Sequence, residues 1–152
     1  MTILRPGASA PEFTLANQFG RPVSLSRLRD AASVTIVFFP LAFSRVCQGE
    51  LRELHENADL FATARSELVA ISVDSKHALR AWAEEQGFGF PLLSDFWPHG
   101  AVAMSYGAFL PGRGHASRAT FVVSGGIVRA SFATGPGEAR SLDQYRDALS
   151  SS

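Results

Sequence analysis

The chain has 152 residues, of which 46% are hydrophobic and 18% are charged, so it is long enough to bury a core and is neither a disordered nor a solvating sequence. Its 14 basic residues balance 14 acidic ones, which leaves a formal net charge of zero and no basic stripe that would hold nucleic acid. We expect a single domain over residues 1–152, with no nucleic-acid partner.

Cys47 is the only cysteine, which excludes an internal disulfide, a Cys-pair redox motif and a zinc ribbon. The four histidines have no ligand spacing, so we expect no metal and no cofactor. The start of the chain does not resemble a signal peptide, and its apolar runs are far shorter than a membrane span of about 20 residues. We therefore expect a cytoplasmic protein without a membrane partner.

The first predicted elements are a β-hairpin, a short helix and a strand. The segment FTLANQFGRPVSLSRL has two apolar arms around a turn, and Ser26 is positioned to cap the helix that follows. The run SVTIVFFP is apolar or β-branched almost throughout, which predicts a central strand that is buried on both faces.

One long amphipathic helix is predicted to follow, over CQGELRELHENADLFATA. Apolar residues recur there at helical spacing at Leu51, Leu54, Ala58 and Phe61, so the helix would begin near Cys47.

The remaining elements alternate between strands and helices. ELVAISVD reads as a buried strand, and SKHALRAWAEEQG as a helix that Asp74 or Ser75 caps and Gly87 ends. FPLLSD is a short strand, and WPHGAVAMSYG a short helix with Pro98 near its first turn. ATFVVSGGIVRASFA is a hairpin, and SLDQYRDALS a last helix. This order predicts an α/β fold with a mixed central sheet.

Cys47 lies where a predicted strand has ended and a helix begins. The positive end of a helix favours the ionised form of a cysteine, and ligands in such sheets bind beyond the carboxyl ends of strands. An ordinary thiol is roughly 3% ionised at pH 7, so full ionisation would raise reactivity only about 30-fold, or ~2 kcal/mol. Because enzymes supply about 8 kcal/mol or more, other groups must orient and polarise the second reactant.

The stretch PLAFSRVC supplies such groups. Pro40 would stiffen the loop and shield a pocket, and the hydroxyl of Ser44 could approach the sulfur. Free backbone N–H groups of Val46 and Cys47 could bind an anionic oxygen. The alternative is an inert, buried cysteine, which these neighbours disfavour.

The pattern P-x-x-x-[ST]-x-x-C is the active-site signature of the peroxiredoxins, and FFPLAFSRVCQGEL resembles their alkyl hydroperoxide reductase E-like branch. Four further segments extend the resemblance over nearly the whole chain: GASAPEFTL, LVAISVD, FPLLSDFWPHGAV and SRATFVV. The resemblance implies a thioredoxin-like fold, with a mixed central sheet flanked by helices and an N-terminal β-hairpin.

The same resemblance implies that Cys47 reduces a peroxide and becomes a sulfenic acid. Arg118 would hold the thiolate and polarise the peroxide, and Glu50 would orient that arginine. Pro40, Ser44, Cys47 and Arg118 match the family's four active-site positions. Most members carry threonine where Ser44 stands, so the hydroxyl is kept but the methyl that fixes its rotamer is lost.

The substrate pocket is predicted to include Val46, Phe43 and Leu41. Apolar side chains near the loop favour organic hydroperoxides beside hydrogen peroxide, with peroxynitrite as a further candidate that the sequence does not rank.

Because there is no second cysteine, an external thiol must reduce oxidised Cys47. The branch relatives use a low-molecular-weight thiol such as mycothiol, together with a glutaredoxin-like mycoredoxin. Family members dimerise through the face that bears the active-site loop, so a homodimer is expected, and Trp97 and Pro98 are predicted to pack or to contact the partner.

Other classes of protein fit the sequence less well. In a peroxide-sensing redox module, oxidised Cys47 would signal to a partner protein with little turnover. Arg52 gives C-x-x-x-x-R, one residue short of the phosphatase spacing, and Glu50 would repel a phosphate dianion. A disulfide oxidoreductase would need a second cysteine.

Overall fold

A computed structural model describes residues 2–28 and 30–151. The strands are, in chain order, β1 Thr14–Asn17, β2 Pro22–Ser24, β3 Ser33–Phe38, β4 Ser66–Ser72, β5 Leu92–Ser94, β6 Phe109–Leu110, β7 His115–Ala116, β8 Arg118–Ser124 and β9 Ile127–Thr134. The α-helices are α1 Arg45–Glu56, α2 Ala58–Thr63, α3 Lys76–Gln86, α4 Ala101–Ser105 and α5 Leu142–Ser151.

Seven strands form one mixed sheet in the order β2-β1-β5-β4-β3-β8-β9. β4 runs parallel to both β3 and β5, whereas the hairpins β1–β2 and β8–β9 and the pairs β1–β5 and β3–β8 are antiparallel. β6 and β7 form a separate two-stranded sheet. This arrangement confirms the predicted α/β architecture, including its N-terminal hairpin.

The sheet carries an apolar cluster on each face, and β3 contributes to both. Successive side chains of a strand point to opposite faces, so Phe38 joins the cluster that contains Tyr106 while Val37 joins the one that contains Trp82. All six residues of β3 are buried, as the sequence predicted. Each large apolar side chain buried in this way stabilises the fold by about 1.5–3 kcal/mol.

The single long helix predicted after β3 is two helices, so that prediction is wrong in its length. α1 begins two residues before Cys47, and Asn57 separates it from α2. The side-chain amide of Asn57 donates to the carbonyl of Glu53 at 2.8 Å, a local bond typical of positions where a helix ends. Ala58, predicted on the buried face, is exposed, whereas Phe61 is buried.

Two predicted helix starts are also displaced. Ser26 lies inside a 3-10 turn over Leu25–Leu28 and caps no α-helix; its backbone N–H donates to the carboxylate of Glu12. Pro98 precedes α4, which starts only at Ala101.

The predictions for α3 and for the β8–β9 hairpin are confirmed. The hydroxyl of Ser75 accepts a hydrogen bond from the backbone N–H of Ala78, and α3 ends at Gly87 with φ of 74°. The β8–β9 turn contains Gly125 and Gly126, both at positive φ. Within the described residues, no helix is both long enough and apolar enough to cross a membrane.

Candidate active site

Three segments bring the predicted active-site residues to one end of the sheet. Pro40 follows β3 and is buried, and Cys47 lies in the first turn of α1, after the connecting loop. Val37 of β3 is paired with Thr120 of β8. Arg118, two residues before Thr120, therefore lies beside the end of β3, where α1 begins.

Arg118 contacts the sulfur of Cys47 directly. Its Nη1 donates a hydrogen bond to Sγ at 3.2 Å, and its Nε donates to the carbonyl oxygen of Pro136 at 2.9 Å. Arg118 is buried, and Cys47 has no exposed surface. An interaction between ionised groups is stronger in such a water-poor environment than at the surface.

Glu50 holds this arginine in place. Its Oε1 accepts a hydrogen bond from Nη1 of Arg118 at 2.7 Å, so a single nitrogen contacts both the carboxylate and the sulfur of Cys47. Glu50 lies three residues after Cys47 on α1, which places both side chains on the same helix face.

Arg140 is a further residue of the candidate site, and the sequence did not reveal it. It is buried, and its backbone N–H and Nε donate to Oε2 of Glu50 at 2.7 and 2.9 Å. Its Nη1 also donates to the carbonyl of Ala119 and to Oγ1 of Thr120. A buried carboxylate needs several hydrogen-bond donors, so a buried Glu50 would be expected to have a second partner besides Arg118. No sequence motif indicates which arginine is that partner.

Cys47, Glu50, Arg118 and Arg140 form what we call the buried ion cluster. Burial alone would raise the pKa of Glu50, but the hydrogen bonds and charge of Arg140, together with the charge of Arg118, outweigh burial and hold that pKa below its usual value. Two guanidinium groups and one carboxylate leave one positive charge in excess. A thiolate at Cys47 would balance it.

Ser44 occupies the position before α1, and its hydroxyl donates to the carbonyl of Leu41 at 2.9 Å. The predicted approach of this hydroxyl to the sulfur is not seen among the hydrogen bonds of the described residues; the hydroxyl closes the loop instead. The first backbone N–H bonded within α1 is that of Gln48, to Ser44 at 2.9 Å. The N–H groups of Val46 and Cys47 therefore have no acceptor within the helix.

A cavity of about 260 Å³ adjoins the buried ion cluster, and we call it the active-site cavity. Pro40, Leu41, Ser44 and Arg118 are among the residues that line it, so the structure brings most of the predicted active-site and pocket residues together.

Two predicted pocket residues lie elsewhere. Val46 lines a separate and more open cavity of about 670 Å³, together with Arg45, Gly49 and Arg140. Phe43 does not line the active-site cavity either; it is 50% exposed, and its ring centroid lies 6.2 Å from that of Trp82. Val46 lies in the first turn of α1, which lines this second cavity, whereas Phe43 lies before the helix at a φ of 65°.

No group of three or more His, Cys, Asp or Glu side chains is placed to hold a metal ion anywhere in residues 2–28 and 30–151. The groups that the structure places around Cys47 are suited to orient a small oxidant and to stabilise negative charge on it.

The profile of the AhpC/TSA family matches residues 6–131. The chain belongs to this family. Alkyl hydroperoxide reductase E of Mycobacterium bovis and of Mycobacterium tuberculosis is 47% identical to this AhpC/TSA protein over 148 residues, which is 97% of each chain. A putative peroxiredoxin of Mycobacterium tuberculosis is 37% identical over 108 residues, which is 71% of this chain and 67% of that protein.

Solved structures of peroxiredoxins share the fold. Peroxidoxin BcpB of Mycobacterium tuberculosis matches with a TM-score of 0.82 and 28% identity, over 97% of this chain and 96% of that one. AhpC of Enterococcus faecalis matches with a TM-score of 0.86 and 25% identity, over 95% and 90%. This AhpC/TSA protein thus has the thioredoxin-like peroxiredoxin fold that the sequence predicted. It is a thiol peroxidase, and its single cysteine fits the one-cysteine type.

Proposed function

We propose that the protein, as one domain over residues 1–152, reduces hydroperoxides at Cys47 by a one-cysteine mechanism. The observation that carries this proposal is the contact of 3.2 Å between Nη1 of Arg118 and Sγ of Cys47. The charge of the buried ion cluster supports a thiolate as the reacting form, because a neutral thiol would leave the cluster with an uncompensated positive charge.

The thiolate attacks the terminal oxygen of the hydroperoxide, so an S–O bond forms as the O–O bond breaks. Cys47 is oxidised to a sulfenic acid, and the other peroxide oxygen leaves with the electron pair and takes up a proton, giving an alcohol or water. Arg118 stabilises the negative charge on the leaving oxygen, and Glu50 keeps Arg118 in position. Pro40 and Ser44 shape the loop, and the N–H groups of Val46 and Cys47 are further donors.

The oxidant reaches the sulfur through the active-site cavity. Arg118 lines this cavity and also contacts Cys47. Because Cys47 has no exposed surface, a side chain at the inner end of the cavity must shift before the oxidant meets the sulfur. Leu41 gives the cavity an apolar wall, which supports organic hydroperoxides as well as hydrogen peroxide as substrates, and peroxynitrite is a third candidate.

An external thiol returns Cys47 to its reduced form. The first thiol displaces water from the sulfenic acid and forms a mixed disulfide, and a second thiol releases Cys47 from it. A low-molecular-weight thiol and a glutaredoxin-like or mycoredoxin-like protein are the candidate reductants. A lone reduced cysteine suits the cytoplasm, where this activity would contribute to cell redox homeostasis.

We further propose that two copies of the chain associate as a homodimer. Large apolar side chains are exposed on the active-site loop, at Leu41 and Phe43, and after β5, at Phe96 and Trp97. Both segments follow the carboxyl ends of strands in the parallel set β3, β4 and β5, so they lie at the same edge of the sheet. Exposed apolar residues grouped on one part of a surface are typical of protein contacts.

The alternative is a peroxide-sensing module in which oxidised Cys47 signals to a partner protein. The observation that favours this alternative is the complete burial of Cys47, because burial slows the attack of a bulky thiol on the sulfenic acid.

Peroxide consumption measured with and without an added thiol tests the proposal. We expect rapid oxidation of one Cys47 per chain by hydrogen peroxide, sustained turnover with a small thiol or a glutaredoxin-like protein, and no activity in Cys47→Ser. A single oxidation without turnover under every reductant would favour the sensor. An unreactive Cys47 would contradict both.

A further inference from the structure

We propose that Arg113 makes the active-site cavity selective for small hydroperoxides that carry a carboxylate group. The inference rests on the proposed reduction of hydroperoxides at Cys47 and adds a class of substrate to it. Arg113 lies in the turn that joins β6 to β7, where its backbone N–H donates to the carbonyl of Leu110 at 3.0 Å. Like Arg118, it lines the active-site cavity.

The charges around the cavity have one sign. Its lining residues include the guanidinium groups of Arg113 and Arg118 and no Asp or Glu. Arg118 is already bonded to Cys47, Glu50 and the carbonyl of Pro136. The side chain of Arg113 is exposed and forms no hydrogen bond or ion pair within residues 2–28 and 30–151. Arg113 is thus a free cation at the outer part of the cavity.

Two further polar side chains of the lining have unused capacity for a ligand. Oγ of Ser117 is buried and has no hydrogen-bond partner among the residues that the structure describes. Nδ1 of His115 donates to the carbonyl of Ala116 at 2.9 Å, which leaves Nε2 as the free ring nitrogen. A buried hydroxyl without a partner is costly, and a polar ligand group would satisfy it.

The cavity also has apolar lining, from Pro40, Leu41, Leu110 and Pro136, beside the hydroxyl groups of Ser44 and Thr134. A volume of about 260 Å³ lies below the range of roughly 300–1,000 Å³ that holds drug-sized ligands. The ligand that fits is therefore short: a hydroperoxide group at Arg118, a few methylene groups along the leucines, and a carboxylate at Arg113. Guanidinium and carboxylate groups form paired, geometrically specific hydrogen bonds.

Arg113 could instead bind a carboxylate on the reducing thiol. Two reasons favour a carboxylate on the oxidant. The inner end of the cavity is formed by Arg118, which would polarise an O–O bond. Cys47 has no exposed surface, so any reactant must displace part of the cavity lining to reach the sulfur. A terminal hydroperoxide oxygen is smaller than an attacking thiol and therefore needs less displacement.

The test compares two hydroperoxides of equal chain length, one with a terminal carboxylate and the other with the corresponding methyl ester. The full-length protein is oxidised once in a stopped-flow instrument without any thiol, so only the first half of the cycle is observed. We expect wild type to react faster with the acid than with the ester, and added salt to reduce this ratio. The net charge of the chain is zero, so overall attraction would not produce the preference.

Arg113→Ala should lower the ratio of acid to ester rates by about three- to tenfold, the range expected for a partly solvated charge pair. Arg113→Glu should invert the preference. The matched control is Arg45→Ala, which removes an exposed arginine near Cys47 that lines the other cavity, and it should keep the wild-type ratio.

Equal rates for acid and ester in wild type, or an equal loss of the ratio in Arg45→Ala, would overturn the role of Arg113. In a separate experiment, the oxidised protein is re-reduced with a thiol that carries a carboxylate and with its neutral methyl ester; a carboxylate preference seen only in this step would also overturn the proposal. Hydrogen peroxide serves as a third oxidant in every variant. If wild-type Cys47 does not react with hydrogen peroxide, the proposed function fails, whereas normal reaction without selectivity rejects only the substrate class.

Discussion

Nη1 of Arg118 bonds both to the sulfur that would attack the peroxide and to the carboxylate that orients the arginine. We expect Arg118→Ala to slow oxidation by hydrogen peroxide by more than about 30-fold, because that is all that ionisation of the thiol alone would supply. The measurement is the second-order rate constant of Cys47 oxidation. Arg118→Lys keeps the charge without the planar fork and should be intermediate. A rate within about threefold of wild type in the alanine variant would contradict the assignment.

Arg140 completes the bonds of Glu50, so its loss should be costly even though it does not contact the sulfur. Arg140→Met leaves a buried carboxylate with one partner fewer, and we expect the free energy of unfolding to fall by about 3–5 kcal/mol. Denaturant unfolding measures this value. The matched control is Arg146→Met. Arg146 lines the cavity of about 670 Å³ that Arg140 also lines, but it pairs with Asp143 at the surface. The control should lose less than about 1 kcal/mol.

The pH dependence of stability should report on Glu50. Its pKa is lowered in the folded protein from the model-compound value of 4.5, so its stabilising effect is complete above that value and is lost as the pH falls through the lowered pKa. Between about pH 6 and 3, the free energy of unfolding of wild type should therefore fall more steeply than that of Glu50→Gln. Parallel curves for the two proteins would show that Glu50 does not titrate abnormally.

Local spacing predicted the residues near Cys47, whereas of the two arginines that act across the fold, Arg118 was predicted only through the family resemblance and Arg140 was missed. Pro40, Ser44, Cys47 and Glu50 are close together in the chain, and a strand followed by a helix places them at one end of the sheet. Arg140 was not predicted, because its role depends on reaching a carboxylate 90 residues away. The contact of the Ser44 hydroxyl with the preceding loop was also missed, since spacing alone does not decide between two nearby acceptors.

At the scale of whole elements, the strands were more predictable than the helix ends. The apolar run of β3 and the Gly-Gly turn between β8 and β9 are strong local signals. The break after α1 depends on one asparagine inside an otherwise helical pattern. β6 and β7 were not predicted, because two residues each give no periodicity, yet the turn between them carries Arg113.

The connection between α4 and β6 depends on Gly107, which has φ of 72° and approaches the backbone of the N-terminal segment. A Cβ at this position would meet the carbonyl oxygen of Thr2, so we expect Gly107→Ala to destabilise the fold by more than the ~1–2 kcal/mol that positive φ costs an alanine. Gly87→Ala is the matched control, because Gly87 has φ of 74° with no atom near its Cβ position. If denaturant unfolding showed equal losses of unfolding free energy in the two variants, the N-terminal segment would have moved to make room for the added methyl group.

For the whole molecule, the testable property is association between copies. Trp97 is 81% exposed, and replacing it with a charged residue, Trp97→Glu, should shift the proposed dimer towards monomer at micromolar concentration. Sedimentation velocity over a range of concentrations measures this shift. The control is Phe19→Glu, since Phe19 is 63% exposed but lies in the β1–β2 turn, outside the two segments that carry the proposed contact. A monomer in wild type at every concentration would reject the dimer.

The pairing of Glu50 with Arg140 affects how the protein can fold while it is being synthesised. A ribosome synthesises Glu50 90 residues before Arg140, so a nascent chain that has emerged through β8 carries Cys47, Glu50 and Arg118 without the second arginine. Until Arg140 emerges, the Glu50 carboxylate lacks most of its hydrogen-bond donors and is costly to bury, although Leu51 and Leu54 of α1 favour packing against the sheet. The full set of hydrogen bonds around Glu50 can therefore form only late in translation, after Arg140 has left the ribosome.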